Sequence, residues 1–293
     1  MIKPLKKRYS LSIIFISLLT VVVANMYFED PGKVRKYFSS TYYKSKFETI
    51  QDKEFLLHPD FISGKTAYAN GNYEKAIYDL SEEIKKHDDN ALAHYFLGRI
   101  YEERVVKGDK YYTEMAKHYK RYIDLRHFGE YVNHAKLTVA QFYVKEGLMR
   151  RDTEMLRIAE TYLNSLDKTN GAVRMALGAI YLNTKNFDQA IDEFEKSFNL
   201  PKGELKLKYN SLGFAYIKKG MYDNAIRVLE IAILIDPKDK YAQNNLGFAY
   251  VQQGKLTVAK IHFTKALEID PSYENANRNL FWVRKQLTRR ELR

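Results

Sequence analysis

The ten-residue stretch SLGFAYIKKG at Ser211–Gly220 recurs 34 residues later as NLGFAYVQQG at Asn245–Gly254. The flanking sequence repeats with it, and the units that begin at Lys206 and Lys240 match one pattern at eight positions. A fixed period of this length is typical of stacked helix pairs, in which each pair buries its apolar face only against its neighbours. The chain is therefore predicted to contain an all-α repeat array.

The residues at fixed offsets in the last unit have clear roles in such a helix pair. Leu246 and Tyr250 lie four residues apart and share one face of the first helix. Gly247 leaves room for the second helix to approach, and Gly254 supplies the left-handed backbone that ends the first helix. Pro271 ends the second helix, because the residue before a proline avoids the α region.

The pattern L-G-x-x-Y, then A-x-x-x-F, then a helix-ending proline resembles the tetratricopeptide repeat. The resemblance implies a right-handed α-solenoid of about six helix pairs with a C-terminal capping helix. It is strong after residue 171 and looser before, where insertions lengthen some turns. The predicted array covers 57–273, with units at 57–90, 91–130, 131–170, 171–205, 206–239 and 240–273, followed by a capping helix and basic tail at 274–293.

The amino-terminal segment places basic residues before an uncharged run from Tyr9 to Phe28. The run, residues 9–28, just reaches the length of a tilted membrane span, so 1–28 is predicted to be an uncleaved signal anchor and 29–56 a membrane-proximal linker. Cleavage after Ala24 and a buried core helix are the alternatives. With the short basic tail inside, the chain would be a bacterial single-pass inner-membrane protein with a cytoplasmic N-terminus and a periplasmic array.

The net charge of +12 is concentrated at the two ends of the chain. Residues 1–56 hold ten Lys and Arg against five Asp and Glu, and residues 283–293 hold five against one. The intervening body has 33 basic and 30 acidic side chains, a balance that argues against nucleic-acid binding. The absence of cysteine excludes thiol catalysis and disulfide bonds.

The sequence contains no H-E-x-x-H, G-x-G or G-x-S-x-G motif. A loose group of histidines has no two members three or four residues apart, the spacing of helical metal ligands. Its members are His94, His118, His127 and His134. We therefore expect no enzymatic activity, no cofactor, no metal and no small-molecule substrate.

The resemblance also implies which residues face a ligand, because the corresponding positions line the inner groove of the family. The predicted groove residues are Met175, Asn210, Asn244 and Arg278 in one row, Ala179, Phe214, Phe248 and Trp282 in a second, and Leu182, Ile217 and Val251 in a third. The first row is rich in amides and the other two are apolar, a composition that suits an extended or helical peptide. The alternative is that these residues fill the tight inside of the array. In an earlier unit, Tyr95, Arg99 and Glu102 make the same positions more polar.

Together these features predict a non-catalytic scaffold that binds a protein or peptide in the groove and supports assembly of a membrane-associated complex. A self-assembling structural repeat protein is the alternative, which leaves homo-oligomerisation open, and cleavage of the leading segment would make it a secreted periplasmic protein. An enzyme with a site in the insertions of residues 91–170 is a third class, disfavoured because no nucleophile, base or ligand cluster is evident there.

Overall fold

A computed structural model of the chain describes residues 58–105, 111–127, 129 and 131–291. Within these ranges the protein consists of helices and connecting turns without any strand, which confirms the predicted all-α class. The helices of this part of the chain are α1 (Pro59–Ala69), α2 (Tyr73–Lys86), α3 (Ala91–Val105), α4 (Tyr112–Leu125), α5 (Val132–Arg150), α6 (Thr153–Asn164), α7 (Gly171–Asn183), α8 (Phe187–Glu195), α9 (Lys202–Lys218), α10 (Tyr222–Ile235), α11 (Lys240–Gln252), α12 (Leu256–Ile269) and α13 (Glu274–Glu291).

The chain divides into two compact units, residues 1–135 and 136–293, and the division falls within α5. In the first unit, α1 to α4 contact one another in chain order, and α1 also meets α3. In the second unit, α6 to α13 do the same. There, α7, α9, α11 and α13 also contact one another in turn, so these four helices share one face.

A glycine in the first helix of each pair lies against a large side chain of the second helix. A Cβ atom built on Gly247 would stand 2.7 Å from the ring of Phe263, so no larger residue fits without displacing that ring. The predicted role of Gly247 is therefore confirmed. The pairs of glycine and facing side chain are Gly64–Leu80, Gly98–Tyr119, Gly147–Leu156, Gly178–Phe194, Gly213–Leu229 and Gly247–Phe263.

The turn between the helices of a pair uses left-handed backbone. Gly254 has a φ of 74° and Gly220 a φ of 75°, as predicted for the residue that ends the first helix. The corresponding turn between α7 and α8 instead places Lys185 at a φ of 64°. A side chain at this φ is strained, and the turn between α5 and α6 likewise places Arg151 at a φ of 56°.

The connection between α8 and α9 is held by a buried lysine. Lys208 is 7% exposed, and its Nζ donates a hydrogen bond to the carbonyl oxygen of Ser197 at 2.6 Å. Burial lowers the pKa of the Lys208 amine. The lysine thus satisfies a carbonyl just beyond the short helix α8 and ties α9 to that connection.

The predicted membrane localisation must be corrected. In the described residues, no helix is long and apolar enough to cross a bilayer. Even α5, with 19 residues, carries Lys136, Lys145, Glu146 and Arg150 along its length. The single-pass inner-membrane topology with a periplasmic array is therefore not supported, and the segments 1–28 and 29–56 lie outside the described residues.

Candidate partner-binding groove in the second unit

The face formed by α7, α9, α11 and α13 carries three cavities that share lining residues. The first, of ≈ 860 Å³, shares Leu182 and Phe214 with the second, of ≈ 470 Å³. The second shares Phe248 with the third, of ≈ 260 Å³. We call this continuous row of cavities the groove. All eleven predicted groove residues line it: Met175, Ala179, Leu182, Asn210, Phe214, Ile217, Asn244, Phe248, Val251, Arg278 and Trp282.

The first cavity is the apolar end of the groove. Met175 and Leu182 from α7 line it together with Leu207 and Phe214 from α9. Leu207 is 55% exposed and lies beside the exposed Phe214, so the two form an apolar patch in the cavity. Because these side chains converge on one concavity, this end of the groove can accept apolar side chains of another molecule.

The phenylalanines and the tryptophan of the second row remain accessible. Phe214 is 36% exposed, Phe248 37% and Trp282 47%. By contrast, Ile217 of the third row is 7% exposed and packs into the core of the unit. The second row is thus the part of the predicted set that is open to contact.

The asparagines of the groove bond to one another rather than standing free. Asn245 donates from Nδ2 to Oδ1 of Asn210 at 2.8 Å, and Asn279 donates to Oδ1 of Asn244 at 2.9 Å. These bonds link α9 to α11 and α11 to α13. Asn244 is only 7% exposed, so its amide acts chiefly between helices, whereas Asn210 remains partly accessible.

Positive charge lines the rim of the groove. Lys218 holds its Nζ 5.0 Å from the centre of the Phe214 ring, a cation–π contact. Lys185 and Arg278 also line the cavities. Within the described residues, no carboxylate forms an ion pair with any of these three cations, and the acidic side chain on the same rim is Glu204. The rim therefore favours a partner that carries negative charge.

Several groove residues escape prediction from the family positions. Leu207, Tyr241 and Asn275 each lie three residues before a predicted member, one helical turn earlier on the same face. That spacing could have identified them. Leu148 belongs to α5, and its place in the first cavity depends on how that helix packs. Gln141, also on α5, does stand at a family groove position of its repeat unit.

The corresponding positions in the first unit are polar and satisfy one another. Glu102 accepts hydrogen bonds from the hydroxyl of Tyr119 at 2.6 Å and from Nε2 of His134 at 3.0 Å, while Nη1 of Arg99 lies 3.4 Å away. Burial alone would raise the pKa of Glu102, but these bonds outweigh burial and lower it. Tyr95 is 8% exposed and stacks on Tyr131.

Two members of the loose histidine group lie side by side in this unit. Nδ1 of His94 is 3.1 Å from Nδ1 of His118, and both side chains are buried. Burial, reinforced by the neighbouring His94, lowers the pKa of His118 to about 3. Two neutral imidazoles can share one hydrogen bond, so the pair forms part of the core around α3 and α4.

Models of the tetratricopeptide repeat match the chain at residues 63–124, 172–202, 213–254 and 241–273. The chain therefore contains tetratricopeptide repeats in both units. All four models describe the repeat itself, and none names a catalytic domain.

Among curated relatives, the chain is 34% identical over 107 residues to the uncharacterized protein ycf37 of Guillardia theta, which covers 34% of this chain and 59% of that protein. It is 32% identical over 68 residues to superkiller protein 3 of Schizosaccharomyces pombe, covering 23% of this chain. The chain thus spans about three fifths of the first relative and 5% of the second.

Among solved structures, the APC/C hetero-tetramer Cut9–Hcn1 superposes with a TM-score of 0.56 at 18% identity, over 92% of this chain and 52% of that chain. The C-terminal part of a TPR repeat-containing protein from Cytophaga hutchinsonii gives a TM-score of 0.51 at 18% identity, over 71% of this chain and 78% of that chain. At such identities the likeness concerns the fold.

Proposed function

We propose that this protein is a non-catalytic interaction module whose groove binds a peptide segment with apolar side chains flanked by acidic residues. The observation that carries the proposal is the row of accessible apolar side chains bordered by cations that form no ion pair with a carboxylate of the described part of the chain. Phe214, Phe248 and Trp282 would anchor the apolar side chains of the partner, since exposed aromatic residues in concavities supply much of the energy of such interfaces.

The cations at the rim of the groove predict that the partner carries negative charge. Lys185, Lys218 and Arg278 border the cavities that hold Phe214 and Phe248. Acidic residues beside the apolar anchors would pair with them and speed association at low salt. The superposed Cut9–Hcn1 structure is a hetero-tetramer, and partner binding by this chain agrees with that precedent while resting on its own groove.

A random peptide library selected on the full chain tests this proposal without a known partner. We expect enrichment of peptides in which two or more apolar residues stand next to Asp or Glu. For a selected peptide, the double change Phe214→Ala and Phe248→Ala should weaken binding by roughly 30-fold or more, since an anchor contributes more than about 1 kcal/mol. Tyr78→Ala is the matched control, because Tyr78 is 67% exposed and lies outside the groove.

Two results would overturn the proposal. One is selection of peptides without the apolar and acidic pattern. The other is unchanged affinity in the folded double variant, checked by circular dichroism. Lys218→Ala supplies an independent test, because it should weaken binding at low salt and reduce the dependence of affinity on salt.

Self-association is a second candidate, and the last helix favours it. On α13, Phe281 is 71% exposed beside the partly exposed Trp282, so an aromatic surface faces solvent at this end of the unit. Sedimentation of the full chain over a range of concentrations tests it. Oligomers of the wild-type chain that dissociate in the Phe281→Asp variant would support self-association, since Phe281 does not line the groove. A wild-type chain that stays monomeric at all concentrations would exclude it.

A further inference from the structure

Three side chains that can ligate a metal meet in the first unit, beside the end of α2. His58 precedes α1 as its N-cap, Glu83 lies in the last turn of α2, and His87 is the C-cap of α2. One potential ligand atom of each lies within 4.8 Å of the other two. The imidazole rings of His58 and His87 have their centres 4.2 Å apart. Two segments of the chain, the start of α1 and the end of α2, thus bring two imidazoles and one carboxylate together.

The carboxylate of this group is buried and held in place. Glu83 is 1% exposed, and its Oε1 lies 2.7 Å from Nδ1 of His58. The same oxygen accepts a hydrogen bond from Nδ2 of Asn90 at 2.9 Å. Asn90 is fully buried, and its Oδ1 accepts from the backbone N–H of Ala93 at 3.1 Å. The start of α3 therefore orients Asn90, which in turn orients the carboxylate, as outer partners of metal ligands do.

We propose that His58, Glu83 and His87 form a binding site for a divalent transition-metal ion of the Zn²⁺ type. Imidazole nitrogen and carboxylate oxygen are common Zn²⁺ ligands, and three protein ligands leave a fourth position for water. The site is independent of the groove, which lies in the second unit. It departs from the absence of metal sites expected from the sequence.

The geometry allows closure around one ion with small movements. Ligand atoms of a tetrahedral site lie about 3.3 Å apart when the metal–ligand bonds are about 2.0–2.2 Å long. The potential ligand atoms of His58, Glu83 and His87 already lie within 4.8 Å of one another, so they would have to approach by at most about 1.5 Å. Imidazole must be neutral to ligate, so binding weakens as the pH falls. The bound ion would join the segment before α1 to the end of α2 and stabilise this helix pair.

The spacing of the residues explains why the sequence conceals this site. Glu83 and His87 are four residues apart, as ligands on one helical edge are, but His58 stands 25 residues before Glu83. Only the packing of α1 against α2 brings it close. The spacing of the histidines in the sequence therefore indicates neither His58 nor His87 as a metal ligand.

Titration of the metal-free full chain with Zn²⁺ against a competing chelator tests the proposal. We expect one equivalent to bind and the midpoint of thermal unfolding to rise with Zn²⁺ concentration. His58→Gln and His87→Gln should each lower the affinity at least about tenfold, the smaller effect seen when even an outer partner is lost. His127→Gln is the matched control, because it removes an exposed histidine outside the group.

Co²⁺ adds a readout of coordination. The wild-type chain and His127→Gln should give the intense visible bands of four-coordinate Co²⁺, and the two ligand variants should lose them. The proposal is overturned if the wild-type chain retains no stoichiometric Zn²⁺, or if a folded ligand variant keeps the wild-type affinity and Co²⁺ spectrum. Because His58 and His87 belong to different segments, either variant decides the question if the other does not fold.

Discussion

The two units use the same helix pair but treat corresponding positions in opposite ways. In the first unit, Arg99 and Glu102 occupy positions that hold Phe214 and Ile217 in the second. The charged side chains of the first unit bond to one another and to Tyr119. In the second unit the same face is apolar and opens into cavities. The same helix pair thus accommodates either charged side chains that bond to one another or apolar side chains that leave an open surface. The residues at the two corresponding positions determine which of the two is present.

The side chain that faces the repeat glycine shows the same difference. Tyr119 packs on Gly98 in the first unit, whereas Phe263 packs on Gly247 in the second. Both rings are fully buried, but only the tyrosine brings a hydroxyl that must find a partner. At this position the α3–α4 pair of the first unit therefore adds a polar contact, whereas the α11–α12 pair of the second relies on apolar packing alone.

The largest effect is expected from removing the apolar contact of the second unit. Phe263→Ala should lower the free energy of unfolding by about 3–5 kcal/mol, because it leaves a cavity against Gly247. Urea unfolding followed by the fluorescence of Trp282, the single tryptophan, reports on this unit. Ile261→Ala on the same helix is the control. Ile261 is 50% exposed, so a change of about 0.5 kcal/mol or less is expected there. Equal effects of the two changes would contradict the assigned core.

The next effect concerns pH and should separate the two units. Burial, with the neighbouring His94, lowers the pKa of His118 from its ordinary value of 6.5 to about 3 in the folded protein. Below pH 6.5 His118 binds a proton in the unfolded chain but stays neutral in the folded chain. The free energy of unfolding therefore falls progressively from pH 6.5 towards pH 3. At pH 5 the loss is about 2 kcal/mol relative to pH 7. In the second unit burial also lowers the pKa of His262, by less than the large shift of His118, so the acid effect there is smaller. Asp270, with a pKa lowered to about 2, acts only below its ordinary value of 3.8.

The measurement compares two probes during urea unfolding at pH 7 and pH 5. Circular dichroism reports helix in both units, whereas Trp282 reports the second, and repeat units can unfold separately. Acid should shift the dichroism transition more than the fluorescence transition. His118→Gln should reduce that shift. Parallel shifts of both probes would show that the buried histidine pair of α3 and α4 does not set the acid sensitivity.

Much of the fold could be predicted because the determinants of a helix pair are local. The Leu-Gly pair at Leu246, the turn glycine Gly254 and the proline Pro271 act within one unit, so their period reveals the architecture. The eleven groove positions came from the resemblance to the tetratricopeptide repeat, whose inward-facing offsets were carried over to this chain. All of them line the three cavities, and their role in binding stays a prediction.

The remainder depends on contacts between segments far apart in the sequence. The bonds of Asn245 to Asn210 and of His134 to Glu102 cross 35 and 32 residues. Their formation depends on the exact offset between neighbouring helices, which turn lengths control. In the first unit the turns differ in length, so the repeat period is irregular there and does not predict which residues of neighbouring helices meet. Sequence periodicity therefore located the asparagines correctly but not their mutual hydrogen bonds.

Converting the first unit to the packing of the second gives a third, smaller prediction. Tyr119→Phe keeps the ring against Gly98 and removes the hydroxyl that donates to Glu102 at 2.6 Å. Stability should fall by about 1–2 kcal/mol, because a partly buried carboxylate loses one of its donors. The pKa of Glu102 should also rise, which can be followed by NMR titration. Tyr78→Phe, at an exposed tyrosine, should change neither quantity. If Tyr119→Phe leaves the free energy of unfolding unchanged, the hydrogen bonds around Glu102 add no stability.

The smallest effect tests the turns that end the first helices. Gly71 in the first unit has a φ of 72°, and nothing lies within 4 Å of a Cβ built there. Gly71→Ala should therefore cost about 1 kcal/mol through backbone strain alone. Lys185 adopts a φ of 64° in the second unit, so Lys185→Gly should stabilise the protein by roughly 0.5 kcal/mol after the greater entropy of glycine is offset. Urea unfolding of both variants and of the wild-type chain measures whether the free energy of unfolding falls in Gly71→Ala and rises in Lys185→Gly.

Lys185 also lines the first cavity, which links this strain to the groove. From this strain we derive the hypothesis that the Lys185 side chain contributes to recognition at the groove. Lys185→Gly should accordingly raise stability while weakening binding of an acidic peptide selected on the groove. If the same variant stabilises the protein and leaves peptide affinity unchanged at low salt, the rim charge at this position has no part in recognition. The contrast between a closed first unit and an open second unit would then rest on the apolar side chains and on Lys218 and Arg278.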